Sequence, residues 1–183
     1  MKRARFLVAV GVLATIACLA GTPPASADPS PYRLHVQGHL GSGLKAIDIE
    51  VPWDSDHGGS PFDFTADASD DIDLARLRWA WTALQKLPEG RTLTFDTGSE
   101  TIRASRRDGY LVLEPRRPDR ADHHSRIKIP DYIVNAILDN DGRLTDRDIE
   151  QLVRERGRIT LVKINSDMGG GSVWLERASS SSL

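Results

Sequence analysis

Cysteine is nearly missing from this chain. Its 183 residues hold one, Cys18, and that residue sits inside an N-terminal apolar run. Everything downstream is therefore without disulfides or cysteine zinc sites, and its stability must come from its core. A basic excess is missing too, with 24 Lys+Arg against 26 Asp+Glu. That composition excludes a general nucleic-acid binder and speaks against adhesion to anionic membranes. No G-x-S-x-G occurs, so no nucleophile elbow is encoded. The run Gly169-Gly170-Gly171 is followed by a strand pattern rather than a helix, so it is not a phosphate cradle. It reads as a hairpin tip.

What is present begins at the N-terminus. Lys2, Arg3 and Arg5 form a positive region. Residues 6–20 are apolar and too short to span a bilayer comfortably. Pro23 and Pro24 break the run, and Ala25-Ser26-Ala27 offers the small side chains that signal peptidase accepts. The pattern predicts an export signal over residues 1–27 and a mature chain from Asp28, periplasmic or secreted. Thr15-Ile16-Ala17-Cys18 loosely resembles a lipobox, and the rival reading is a lipid anchor on Cys18. Export makes calcium chemistry available and ATP chemistry unavailable. The leader carries three of the 24 basic residues and no acids. Its removal leaves 21 basic against 26 acidic residues, a formal −5. The remaining 183 − 27 = 156 residues suit one domain with its own core and no transmembrane segment.

The mature chain alternates strand and helix patterns. Residues 33–40 read as a strand, and residues 44–53 place Ile47, Ile49 and Val51 on one face at period two. Residues 54–73 hold seven Asp and no Lys or Arg, and read as a long acidic loop pinned by Phe62 and Phe64. A helix is expected over about residues 70–87, with Leu74, Leu77, Trp81 and Leu84 on its buried stripe and Trp79 off it. Strands follow at 91–97, 101–105 and 110–114, the last entered through the hairpin dipeptide Asp108-Gly109. Residues 115–125 read as a linker. A strand at 126–129 leads through Pro130 into a helix ending at Leu138. Thr145 and Asp148 have capping-box spacing for a second helix that Gly157 ends. Strands at 159–164 and 172–176 complete an α+β domain.

The two halves, 47–114 and 127–176, echo one another. Ile49-Glu50-Val51-Pro52 matches Ile127-Lys128-Ile129-Pro130, and Gly90-Arg91 matches Gly157-Arg158. The expectation is an internal duplication forming a mainly antiparallel sheet with helices on one face.

Candidate chemistry is confined to a few clusters. Residues 139–149 look like the second half of an EF-hand loop. Asp139 and Asp141 match its third and fifth ligand positions, Gly142 its turn glycine, and Asp148 its last ligand. The likeness breaks at the first position, which falls on Ile137, and an EF-hand needs an acidic side chain there to close its oxygen cage. The bland reading is a helix–turn–helix with a capped second helix. Asp54, Asp56, Asp63 and Asp67 offer further hard oxygens for calcium, or simply a solvated loop. His57 beside Asp56, with His123 and His124 beside Asp122, would make a zinc or hydrolytic site if loop and linker met. His35 and His39 stand on the first strand, isolated from that set. Arg103, Arg106, Arg107, Arg116, Arg117 and Arg120 concentrate positive charge and suit an acidic envelope protein or a polyanionic glycan. Trp53, Trp81, Trp174 and Tyr132 read as core. The reading that fits best is an exported, cofactor-free binding module. The alternatives are a metal-dependent or hydrolytic envelope enzyme built on Asp54, Asp56 and His57, and a calcium binder through Asp139, Asp141 and Asp148.

Overall fold

A computed structural model describes residues 31–40, 46–53, 74–96, 101–116, 124–142, 144–167 and 169–178. The leader with Cys18, the acidic loop 54–73 and residues 117–123 lie outside them. Among the described residues are eight strands and three helices. The strands are β1 (Tyr32–Leu40), β2 (Ala46–Trp53), β3 (Thr92–Asp96), β4 (Thr101–Arg107), β5 (Tyr110–Arg116), β6 (Ser125–Pro130), β7 (Arg158–Ser166) and β8 (Gly169–Arg177). The helices are α1 (Leu74–Lys86), α2 (Asp131–Asp139) and α3 (Asp146–Arg156).

The strands form one antiparallel sheet in the order β2-β1-β8-β7-β6-β5-β4-β3. From β3 to β8 the sheet is a meander, and the N-terminal hairpin β1–β2 extends it beyond the C-terminal strand. Tyr32 of β1 lies opposite Arg177 of β8, and the Ala178 N–H donates to the Pro31 carbonyl at 2.7 Å. The two segments expected to be copies differ in strand order. In 127–176, β6 lies beside β7; in 47–114, β2 lies at the opposite edge of the sheet from β3.

Period-two alternation sorts the strand residues onto two faces. Leu34 and Val36 pair with Val51 and Ile49 on one side and with Leu175 and Val173 on the other. These residues pack with Ile159, Leu161, Ile133, Ile149 and Val153 in the larger core cluster. A smaller cluster joins Trp81 and Leu84 of α1 and Val134 and Leu138 of α2 to Ala104 and Leu111. Ile129 packs against both clusters and links them. Each fully buried Leu or Ile contributes about 1.5–3 kcal/mol of burial free energy. The helices thus cover one face, and they do so because their apolar stripes have no other surface to bury.

Local signals mark several boundaries. Asp108 and Gly109 have φ of 55° and 75°, the paired positive values of a type I′ hairpin turn. The Thr145 hydroxyl accepts from the Asp148 N–H, and Asp148 Oδ2 accepts from the Thr145 N–H at 3.0 Å, a complete capping box. Gly157, at φ 75°, ends α3. Pro130 ends β6 and caps α2 rather than opening its first turn.

One turn assignment is corrected. Gly169, Gly170 and Gly171 are residues of β8, not a hairpin tip. A Cβ on Gly170 would lie 2.9 Å from the Ile164 carbonyl oxygen, and one on Gly171 would lie 2.8 Å from that of Gln37. Neighbouring backbone closes in from both sides, so the glycines are needed inside the sheet.

Candidate binding face

The opposite face of the sheet is covered by none of the described helices. Its residues are the partners left over by the same alternation. The two central strands are β6 and β7. On this face β6 presents Arg126 and Lys128, and β7 presents Arg158, Thr160, Lys163 and Asn165. Four cations therefore share the middle of the face with no acid on either strand. The acids stand on flanking strands: Glu176 on β8, Glu50 and Asp48 on β2, Glu114 on β5 and Asp96 on β3.

Two of the four cations are neutralised locally. Arg126 meets Glu114 at 2.7 Å. Arg158 has Glu176 at 3.9 Å and lies 4.5 Å from the centre of the Trp174 ring. Lys128 and Lys163 differ. They are directly opposed across β6 and β7, so their Cβ atoms are about 4.5–5.5 Å apart. Neither meets an acid within ion-pair distance among the described residues. Lys163 lies instead over Tyr110, 5.4 Å from the ring centre.

Aromatic groups flank this stripe. Trp174 stacks on His35 with ring centres 5.0 Å apart and planes 2° from parallel. His35 Nε2 lies 3.2 Å from Glu176 Oε1. His35 is therefore not isolated, and Trp174 belongs to the open face rather than to either core cluster. The periodicity of residues 172–176 does not say which of its two faces the helices cover, so the pattern alone does not separate Trp174 from the core. Beside the stripe, Gln37, Gly38, His39, Ala46, Lys163, Asn165, Gly171 and Ser172 line an open concavity of about 490 Å³.

The sheet is split next to this site. β6 and β7 pair only from Ser125–Ser166 to Lys128–Lys163, and β7 bulges between Thr160 and Val162. The bulge leaves backbone groups without a ladder partner. Tyr132 of α2 fills that gap. Its hydroxyl donates to the Thr160 carbonyl at 2.8 Å and accepts from the Thr160 N–H at 2.9 Å. Burial pushes its phenol above the ordinary 10.0, against the Thr160 hydrogen bond and the nearby Arg156, which both lower it. The Arg156 guanidinium sits 4.4 Å from the Tyr132 ring centre. The split is thus held open by a fixed side chain.

The described acids singled out from the sequence fall elsewhere. Asp139 and Asp141 follow α2, where Asp141 accepts from Arg78 Nη2 at 2.9 Å. Arg78 also donates to the Leu138 carbonyl, satisfying the end of α2. The Asp148 carboxylate is occupied by the capping box. Among the described residues, no three His, Cys, Asp or Glu side chains converge as a metal site would require. Asp54, Asp56, His57 and His123 lie outside the described residues. The His124 N–H donates to Asp167 Oδ2 at 2.8 Å. Of the arginine cluster, Arg103, Arg107 and Arg116 are on the open face, Arg106 is on the helix side, and Arg117 and Arg120 are not described. Trp79, placed off the buried stripe by its spacing, is 68 % exposed.

Sequence reasoning missed Lys128, Lys163, Tyr110 and the His35–Trp174 pair as site residues. Alternation puts Lys128 opposite in phase to Ile127 and Ile129, but it does not say that Lys163 is its neighbour. Among the described residues no helix is long and apolar enough to cross a membrane. Comparison of the chain with protein-family models, with curated proteins and with solved structures finds no match in any of the three.

Proposed function

We propose that this chain is an exported, non-catalytic binding module that takes a polyanionic partner of the cell envelope on the uncovered face of its sheet. One observation carries the reading: Arg126, Lys128, Arg158 and Lys163 occupy the two central strands of that face with no acid among them. The mature chain has a formal charge of −5 (21 basic against 26 acidic residues), so a cationic stripe is a departure from the chain as a whole. Such a stripe concentrates anions and steers their approach. Export rests on the composition of residues 1–27.

The test is site-specific photo-crosslinking in producing cells. A crosslinker at Ser172 on the open face should give an adduct that weakens at high salt, whatever the chemical nature of the partner. The same group at Glu155, exposed on α3, should not. Equal adducts at both positions, or none at Ser172, would sink the proposal.

A further inference from the structure

The open face holds a more specific feature than its overall charge. Lys128 and Lys163 are cross-strand partners at the centre of an eight-stranded sheet. Like charges placed opposite one another destabilise a strand pair. The directly opposed positions on the outer strands supply no relief. Across β5, Lys128 meets Val112, and across β8, Lys163 meets Ser172. An arrangement that costs stability, and that pairs with no acid among the described residues, is complementary to a ligand that brings its own negative charge.

The surroundings narrow the ligand. Lys163 reaches two kinds of surface at once. On one side it lies over the Tyr110 ring. On the other it lines the concavity with Asn165, Gln37 and Ser172, side chains that both donate and accept hydrogen bonds. Hydroxyl-rich rings need such two-way partners along their edges. A peptide of acidic residues would use the two ammonium groups but has little need of the amides and hydroxyls. Gly38 and Gly171 line the concavity with backbone, and a Cβ on Gly171 would meet the Gln37 carbonyl oxygen at 2.8 Å and one on Gly38 that of Gly170 at 3.3 Å. Adjacent strands lie about 4.8 Å apart. A chain crossing β5, β6, β7 and β8 would therefore place successive acidic sugars over Lys128 and Lys163.

We infer that the Lys128–Lys163 pair and the adjoining concavity bind a carboxylate-bearing polysaccharide, a uronic-acid chain. This deepens the reading of the open face as a polyanion-binding surface and rests on it.

Calorimetric titration of the protein with oligogalacturonate tests the inference, with a neutral dextran oligosaccharide and poly-L-aspartate of matched charge as comparators. Oligogalacturonate should bind at least tenfold tighter than either, and the K128Q/K163Q variant should lose at least tenfold in affinity. R91Q/R147Q removes the same charge outside the open face and should lose less than twofold. Thermal melts keep the variants comparable, since K128Q/K163Q relieves a repulsion and should melt no lower than the parent. Absence of oligogalacturonate binding, retained binding in K128Q/K163Q, or poly-L-aspartate binding equally well would each overturn the inference. In those cases a salt-sensitive adduct at Ser172 would still uphold the broader reading of the face, whereas loss of that adduct would remove both.

Discussion

The two faces of the sheet are made by the same eight strands, and they obey different rules. On the covered face, neighbouring positions across strands agree: Val51, Leu34 and Leu175 form one apolar row, and Ile49, Val36 and Val173 form the next. On the open face, neighbours conflict. Lys128 stands against Lys163, and the acids that would balance them are on other strands. Burial explains the apolar rows of the first face, which pack with the helices in one core cluster. It explains nothing about the second. A sequence under no demand beyond folding would have little reason to oppose two lysines at the sheet centre, and the proposed binding site lies on that side.

The contrast can be broken most sharply from the covered face. Leu175 is fully buried, at 0 % exposure, so Leu175→Ala should cost about 2–5 kcal/mol in chemical denaturation. Ser172, three residues earlier on the open face, should tolerate Ala within about 0.5 kcal/mol. Comparable losses at both positions would mean that the open face is packed against something.

Gly171 tests whether the glycine run serves the sheet itself. Its added Cβ would sit 2.8 Å from the Gln37 carbonyl oxygen, so Gly171→Ala should force β1 and β8 apart and cost about 1–3 kcal/mol. An unchanged melting temperature would return the run to the role of a plain turn.

Asp131 is the polar exception beneath the helices, at the first position of α2. Burial holds its carboxyl above the ordinary 3.8, while Arg106 opposes the shift and Glu89 adds to it. The folded chain therefore binds this proton more tightly than the unfolded chain does. The unfavourable contribution is complete above the raised folded value. It is relieved as pH falls through that value toward 3.8. Asp131→Asn should raise stability at neutral pH and flatten that part of the pH profile, as read by melts over a pH series. A profile that is unchanged by the substitution would contradict the assignment.

The smallest effect belongs to the open face. Lys163→Gln should raise stability by a few tenths of a kcal/mol, because it removes a directly opposed like charge. Addition of salt should shrink the difference between the two proteins. A destabilised variant would show that the pair is already compensated in the free protein.

Much of the fold could be read locally. The alternation in residues 44–53, the Asp108-Gly109 turn, the Thr145–Asp148 capping box and the place of Trp79 off the buried stripe each depend on residues a few positions apart, and the structure has them all. The site was hardly visible. Trp174 sits in an alternating strand whose two faces differ little in apolar character, so its phase relative to the helices was open. His35 and Trp174 are far apart in sequence and meet only through the pairing of β1 with β8. The echo between 47–114 and 127–176 was carried by short Pro- and Gly-containing strings, which mark element boundaries but do not encode strand order.

By itself, the sequence determined which stretches form strands and helices, which residues along each element share a face, and the charge of the chain. These follow from covalent geometry, periodicity and capping, all of them short-range. Only the tertiary structure decided that the N-terminal hairpin lies beyond β8, that β6 and β7 are central, and that Lys128 faces Lys163. Cross-strand register is set by how distant apolar rows close against the helices. The side chains on the other face inherit their neighbours from that choice, and the lysine pair is one of its consequences.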